Sequence, residues 1–153
     1  MTIRPFRESD QHDARRLIID GLGEHFGYVD ETINTDLDDI MGNYVRRGAH
    51  VIVAEEEGVI VGTGILLDES HGVGRIVRMS VDRSHRRCGI ARTILQNLIS
   101  EARRRRFRSI VVATEPEWVD AVGFYRAAGF VPYGGDEVDI FLRRDLEDRT
   151  AAP

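Results

Sequence analysis

The stretch RIVRMSVDRSHRRCGIARTIL, Arg75 to Leu95, changes its period in the middle, and that change decides the fold. Arg75–Val81 has strand character and Asp82–Cys88 is a polar turn. From Gly89 onward, Ile90, Ile94, Leu95, Leu98, Ile99 and Ala102 recur on one face of a helix reaching about Arg105. A helix start leaves unpaired N–H groups and the positive end of the aligned peptide dipoles at the turn. Gly89 and Ala91 leave room for an anion, Gly89 tolerates backbone angles that other residues resist, and Arg86, Arg87 and Arg92 add positive charge. The pattern suits a phosphate or pyrophosphate at a helix N-terminus, and it also suits an arginine-rich turn that holds nothing. HRRCGIAR lacks the Gly-Lys-Ser/Thr ending of a P-loop; GTGILL and GVGRIV lack the third glycine and the helix of a dinucleotide fingerprint.

Working outward, TIRPF reads as a strand. A helix follows, capped by Ser9 or Asp10, with Ala14, Leu17 and Ile18 on its apolar face and Gly21 and Gly23 at its end. In the next segment Thr35 and Asp38 have capping-box-like spacing, and Leu37, Ile40, Met41, Tyr44 and Val45 repeat at helical spacing. HVIVAE and VIVGTGILL form a hairpin with Gly58 in the turn. Beyond the central helix, SIVVAT is a continuous apolar run of the kind buried on both faces. Thr114, Pro116 and Glu117 then start a helix that ends at Gly129, and FVPY and VDIFLRR are the last strands. The predicted order is β-α-α-β-β-β-α-β-α-β-β, an α/β domain (α+β mixed sheet) over residues 1–146, with 147–153 as a frayed tail.

The mildly acidic balance, net charge −5, argues against general nucleic-acid binding, which needs a basic field. The run RRRRFR, Arg103–Arg108, suits the carbonyl end of the preceding helix. The polar start MTIRPFRESD lacks the apolar core of a secretory signal, and no apolar run approaches the roughly 20 residues of a membrane span. The lone cysteine, Cys88, rules out an internal disulfide and a multi-cysteine metal site. DLDD, Asp36–Asp39, lacks the glycine and distal glutamate of a calcium loop and suits a helix's first turn or a cationic acceptor. These features lead us to expect a cytoplasmic protein with no metal, no nucleic-acid partner and no membrane partner.

Arg86-x-x-Gly89-x-Ala91 resembles the Gln/Arg-x-x-Gly-x-Gly/Ala pattern of the GNAT superfamily of acyl-CoA-dependent N-acyltransferases. DAVGFYRAAGF, Asp120–Phe130, is similar to that family's second signature, through Ala121, Phe124-Tyr125 and Gly129-Phe130. The resemblance implies a GNAT-like, mostly antiparallel sheet with splayed central strands, and acetyl-CoA as cosubstrate. It implies that the pyrophosphate lies on the N–H groups of Arg87, Gly89, Ala91 and Arg92, within a turn that also includes Arg86 and Ile90. It implies that main-chain groups around Met79 and Val81 pair with the pantetheine arm.

The same resemblance makes Tyr125 the general acid that protonates the leaving thiolate, with a core tyrosine as the alternative. Many relatives carry a glutamate on the strand that here reads RIVRMSV, which has no carboxylate. Glu115 is the candidate base, with Glu24 and His25 as further candidates on the acceptor side. Trp118 stands where relatives often have a cofactor-binding asparagine. The implied activity is acetyl transfer to a primary amine, of a small molecule or a peptide, by direct attack in a ternary complex. The alternative is a non-catalytic acyl-CoA-binding sensor. Acceptor recognition falls to Gly21–Gly48 and the last hairpin, and C-terminal strands of such folds can pair into a homodimer.

Overall fold

In a computed structural model, which describes residues 1–27 and 29–146, seven strands form one sheet in the order β1-β2-β3-β4-β5-β7-β6. The strands are β1 (Thr2–Pro5), β2 (His50–Glu56), β3 (Val59–Asp68), β4 (Val73–Val81), β5 (Ser109–Thr114), β6 (Val131–Gly135) and β7 (Ile140–Asp145). The helices are α1 (Gln11–Phe26), the single-turn α2 (Ile40–Asn43), α3 (Ile90–Arg104) and α4 (Val119–Ala127). The order and the mixed α/β class match the expectation. Among the described residues, only β4 and β5 run parallel. The expected tail lies outside the described residues.

Each face of the sheet has its own core. On one, α3 buries Ile90, Ile94, Leu95, Leu98, Ile99 and Ala102, the face read from the sequence, against Ile52, Val61, Leu66 and Ile110. On the other, Ala14, Ile18 and Ile19 of α1 join Leu37 and Ile40 over Val53 and Ile65. The α3 side packs closely because β3 offers glycines. A Cβ at Gly64 would lie 2.6 Å from Ile94 Cγ2 and 3.1 Å from Leu98 Cδ1.

Two central features prepare the site. Parallel pairing of β4 with β5 stops after Val73, Gly74 and Arg75, so β4 runs on with β3 as its only partner. A bulge then sets Arg78 and Met79 against the single residue Gly64, with Arg78 held at φ 53°.

Three boundaries differ from the sequence reading. Helix α1 does not end at Gly21 or Gly23; it continues to Phe26 and closes on left-handed Gly27, whose N–H donates to Gly23 O at 2.8 Å. Gly21 is there for close approach, since a Cβ would come within 2.9 Å of Ser80 Oγ on β4. Thr35 and Asp38 make no capping box. They lie in a 3-10 turn, Thr35–Asp39, and the cap of α2 is Asp39, whose carboxylate accepts from Gly42 N at 2.9 Å. Helix α4 starts at Val119 rather than beside Thr114, leaving Pro116 in the connecting turn. Asp10, expected as a cap, is buried; its carboxylate accepts from Arg4 at 2.8 and 2.9 Å and from Arg7 N at 2.7 Å.

The β3–α3 contact gives a stability prediction. Gly64→Val forces Ile94 and Leu98 apart and should cost about 1–3 kcal/mol. In urea unfolding the midpoint should fall with the slope unchanged; an unmoved midpoint would show that the interface yields freely.

Candidate functional site

The gap between β4 and β5 opens into a cavity of about 990 Å³, walled by α1, the bulged half of β4, the end of β5 and the start of α4. Its β4 wall presents backbone. The Arg78 carbonyl accepts from Thr63 Oγ1 at 2.9 Å, on the β3 side, so the trans peptide sends the Met79 N–H toward the gap. Asp82 N donates to Val61 O at 2.8 Å, so by strand alternation the N–H and C=O of Val81 also face the gap. These main-chain groups can accept an added extended chain.

Past Val81 the backbone turns through Asp82, whose carboxylate accepts from Ser84 N at 3.2 Å. Arg87 (φ 64°) and Gly89 (φ 82°) are both left-handed. The first helical N–H in α3 to find an acceptor is that of Thr93, bonded to Gly89 O at 3.0 Å. The N–H groups of Ile90, Ala91 and Arg92 therefore lie in the first turn, where no intrahelical partner exists. A Cβ at Gly89 would meet no protein atom within 4 Å, so the space beside it is open. Ala91 lines the cavity, whereas the Ile90 side chain is buried in the α3 core and can contribute only its main chain.

Arg86 is already engaged. Its Nε donates to Val81 O at 3.1 Å, and its guanidinium pairs with Glu24 at 2.7 Å. Glu24 is thus bound to a cation and bridges α1 to the turn. Arg87 and Arg92 are exposed. Cys88 is exposed and does not line the cavity.

Tyr125, on α4, has its ring edge-on to Phe124 and Phe130, at 5.2 and 5.4 Å between centroids, and it also lines the cavity. It is both the core tyrosine and the cavity tyrosine. Burial pushes its phenol above the ordinary tyrosine value, which keeps the proton on oxygen at neutral pH. Across the cavity, His25 on the last turn of α1 donates from Nε2 to Glu115 Oε2 at 2.8 Å. Its ring stacks on Trp118 at 4.0 Å and 12°.

The acetyltransferase (GNAT) family model matches residues 10–130. The chain is 28% identical over 147 residues to an IAA acetyltransferase of Azospirillum brasilense, covering 92% of this chain and 95% of that protein. Against N-acetyltransferase 8 of Rattus norvegicus it is 34% identical over 119 residues, 74% of this chain; the match spans about half of that relative, 54%. The PaiA N-acetyltransferase of Thermoplasma acidophilum, solved with coenzyme A, superposes with a TM-score of 0.85 at 13% identity, over 95% of this chain and 98% of that one. This chain belongs to the GNAT acetyltransferase family.

Seven of the candidate residues named from the sequence come together on one cavity. Met79, Val81, Arg86, Ala91, Glu24, His25 and Tyr125 all line it. Arg87, Gly89, Ile90, Arg92 and Glu115 are not in its lining; the first four form the turn and helix start beside it, and Glu115 sits behind His25 as that ring's hydrogen-bond acceptor. Among the described residues no three His, Cys, Asp or Glu side chains converge as a metal site. No helix among them is long and apolar enough to cross a membrane.

Sequence reasoning missed one cluster on the acceptor side. Arg78, from the bulge, donates to both oxygens of Asp36 at 3.0 and 2.7 Å and to Asn34 Oδ1 at 3.2 Å. Tyr44 Oη donates to the same carboxylate at 2.5 Å. Within DLDD, Asp36 and Asp38 thus lie in the 3-10 turn and Asp39 caps α2, and Asp36 is not free for a cationic acceptor. The available signal was Arg78 itself, a charge inside an apolar strand. Burial alone would push the Asp36 carboxyl up, but the Arg78 and Tyr44 hydrogen bonds prevail and hold it below the ordinary carboxylate range.

The sign of that shift is testable. Asp36 titrates lower in the folded chain, so its contribution is present above about pH 4, the unfolded value, and is lost as pH falls through the folded value. In Arg78→Met the half-buried carboxylate loses its cation and its pKa rises. The thermal midpoint of the variant should lie furthest below wild type near pH 7, with the difference closing toward pH 3. A difference constant across that range would contradict the pairing.

Proposed function

We propose that this protein is an N-acetyltransferase that moves the acetyl group of acetyl-CoA to a primary amine by direct attack in a ternary complex. The carrying observation is that one cavity joins an unpaired strand edge, Arg86 and Ala91 on either side of a left-handed turn at a helix start, and the hydroxyl-bearing ring of Tyr125. Each part fits a segment of the cosubstrate. The edge at Met79 and Val81 suits an extended pantetheine arm, and the turn suits a pyrophosphate, through the N–H groups of Arg87, Gly89, Ile90, Ala91 and Arg92. Arg86, tied to Glu24, adds field beside that turn rather than a free side-chain contact.

Acetyl-CoA supplies an activated thioester, and the chain's own residues orient it and move protons. Main-chain donors near Val81 face the place where an oxyanion would develop. Tyr125 keeps its proton because burial disfavours the phenolate, so it can protonate the leaving thiolate. The acceptor would enter from the α1 side, over Leu22, His25 and Trp118, where the cavity is partly apolar and aromatic. Both relatives compared by sequence are named acetyltransferases, consistent with this reading.

Two substitutions test separate parts of it. Gly89→Val should weaken acetyl-CoA binding by about ten-fold or more, through the strained φ of 82° and crowding of the open space. An unchanged dissociation constant by calorimetry would refute the cradle. Tyr125→Phe should lower kcat for thiol release about 100-fold with acetyl-CoA affinity retained. Turnover equal to wild type across pH would remove Tyr125 from the chemistry.

A further inference from the structure

We propose that His25 is the general base that deprotonates the acceptor amine, with Glu115 and Trp118 as its positioning residues. This assignment rests on the acetyltransferase reading above and supplies the base that strand β4 lacks. The RIVRMSV strand brings Arg75, Arg78 and Ser80 to the cavity but no carboxylate.

The other acidic groups of the cavity are poorly placed to act as the base. Glu24 is paired with Arg86 at 2.7 Å. Asp36 accepts from Arg78 and Tyr44, which stabilise its ionised form and weaken it as a proton acceptor. Glu117 and Asp120 lie exposed at the rim beside α4.

His25 differs from all of these. Its ring lines the cavity, while its Nε2 is turned to Glu115 at 2.8 Å, behind the cavity wall. A carboxylate can only accept a hydrogen bond, so the proton of this contact sits on Nε2 and the lone pair on Nδ1. The ring plane is held by the Trp118 indole, parallel at 4.0 Å, and by Phe26, edge-on at 4.7 Å. The elements packed around His25 place few other charges near it. Glu115 faces it from the β5–α4 turn, Asp139 of the β6–β7 turn is the next carboxylate behind Glu115, and the neighbouring Glu24 is neutralised by Arg86. An imidazolium formed here meets one carboxylate and the carbonyl end of α1. Trp118, where relatives often have asparagine, thereby gains a definite role, because its indole fixes the plane of the base.

The protons balance across the cycle. Nδ1 takes one proton from the acceptor ammonium, and the neutral amine attacks the thioester carbon. The carbon–sulfur bond breaks, and the sulfur receives the phenolic proton of Tyr125. The second nitrogen proton of the nascent amide returns to the Tyr125 oxygen through water, and His25 releases its proton to solvent. One ammonium and one thioester give one amide, one thiol and one proton.

The test is thiol release from acetyl-CoA over a panel of primary amines, followed across pH with the fastest amine. His25→Gln should lose about 100-fold in kcat/KM and the acidic limb of the pH profile, with acetyl-CoA affinity by calorimetry as in wild type. Glu115→Gln should lose less and move that limb to lower pH, because the imidazolium has lost its carboxylate. A structural role alone would lower the thermal midpoint in both variants without moving the limb. If His25→Gln keeps the limb and stays within a few-fold of wild type, the base assignment is overturned while acetyl transfer stands. Should the Gln variant fail to fold, an unmoved limb in Glu115→Gln overturns the assignment by itself. A wild-type protein that binds acetyl-CoA but releases thiol with none of the amines overturns the transfer reading and the base together.

Discussion

Backbone N–H and C=O groups inside a sheet need partners on both sides, and past Arg75 strand β4 has one on only one side. This unpaired edge is the constraint around which the site is arranged. Across the gap β5 keeps β7 on its other edge from Ser109 to Thr114, so beyond Val111 its β4-facing edge is open as well. The bulge at Arg78 and Met79 redirects β4, and Gly21 lets α1 lie close over Ser80. Under the proposed function the pantetheine arm adds to this exposed edge as an extra strand adds to a sheet.

Two ion pairs and one histidine–carboxylate hydrogen bond then fix the walls of that opening. Arg86–Glu24 joins the phosphate-type turn to α1, Arg78–Asp36 joins the bulge to the 3-10 turn before α2, and His25–Glu115 joins α1 to the end of β5. Each pair spans two elements that share no sheet register. Both members of the last two pairs are part-buried, so those pairings are screened less than a surface contact. The side chains most available for recognition are consequently apolar or aromatic, and most charged groups in the cavity wall are already engaged.

The fold was legible where periodicity is strong. The α3 face, the β2–β3 hairpin and the order of elements along the chain follow from spacing, and RRCGIA with DAVGFYRAAGF located the helix start and Tyr125. Boundaries failed where glycine or proline was read only as punctuation. Gly21 and Gly23 lie inside α1, where close packing of Gly21 on β4 needs a small residue, and Pro116 precedes α4 instead of opening it. The site was legible as a set of residues but not as partners. Nothing in the local sequence of Glu115 shows that its carboxylate meets a histidine ninety positions earlier, or that Asp36 is claimed by Arg78. Such contacts depend on how far β4 and β5 part, which is a property of the whole sheet.

The central claim is that the unpaired edge of β4 is the ligand's docking strand, and amide hydrogen exchange measures it directly. With saturating acetyl-CoA, the amides of Met79 and Val81 should gain protection together with those of the Arg87–Arg92 turn, while Asp82, already bonded to Val61, changes little. Protection confined to the turn, or spread evenly over the sheet with Met79 and Val81 unchanged, would contradict it.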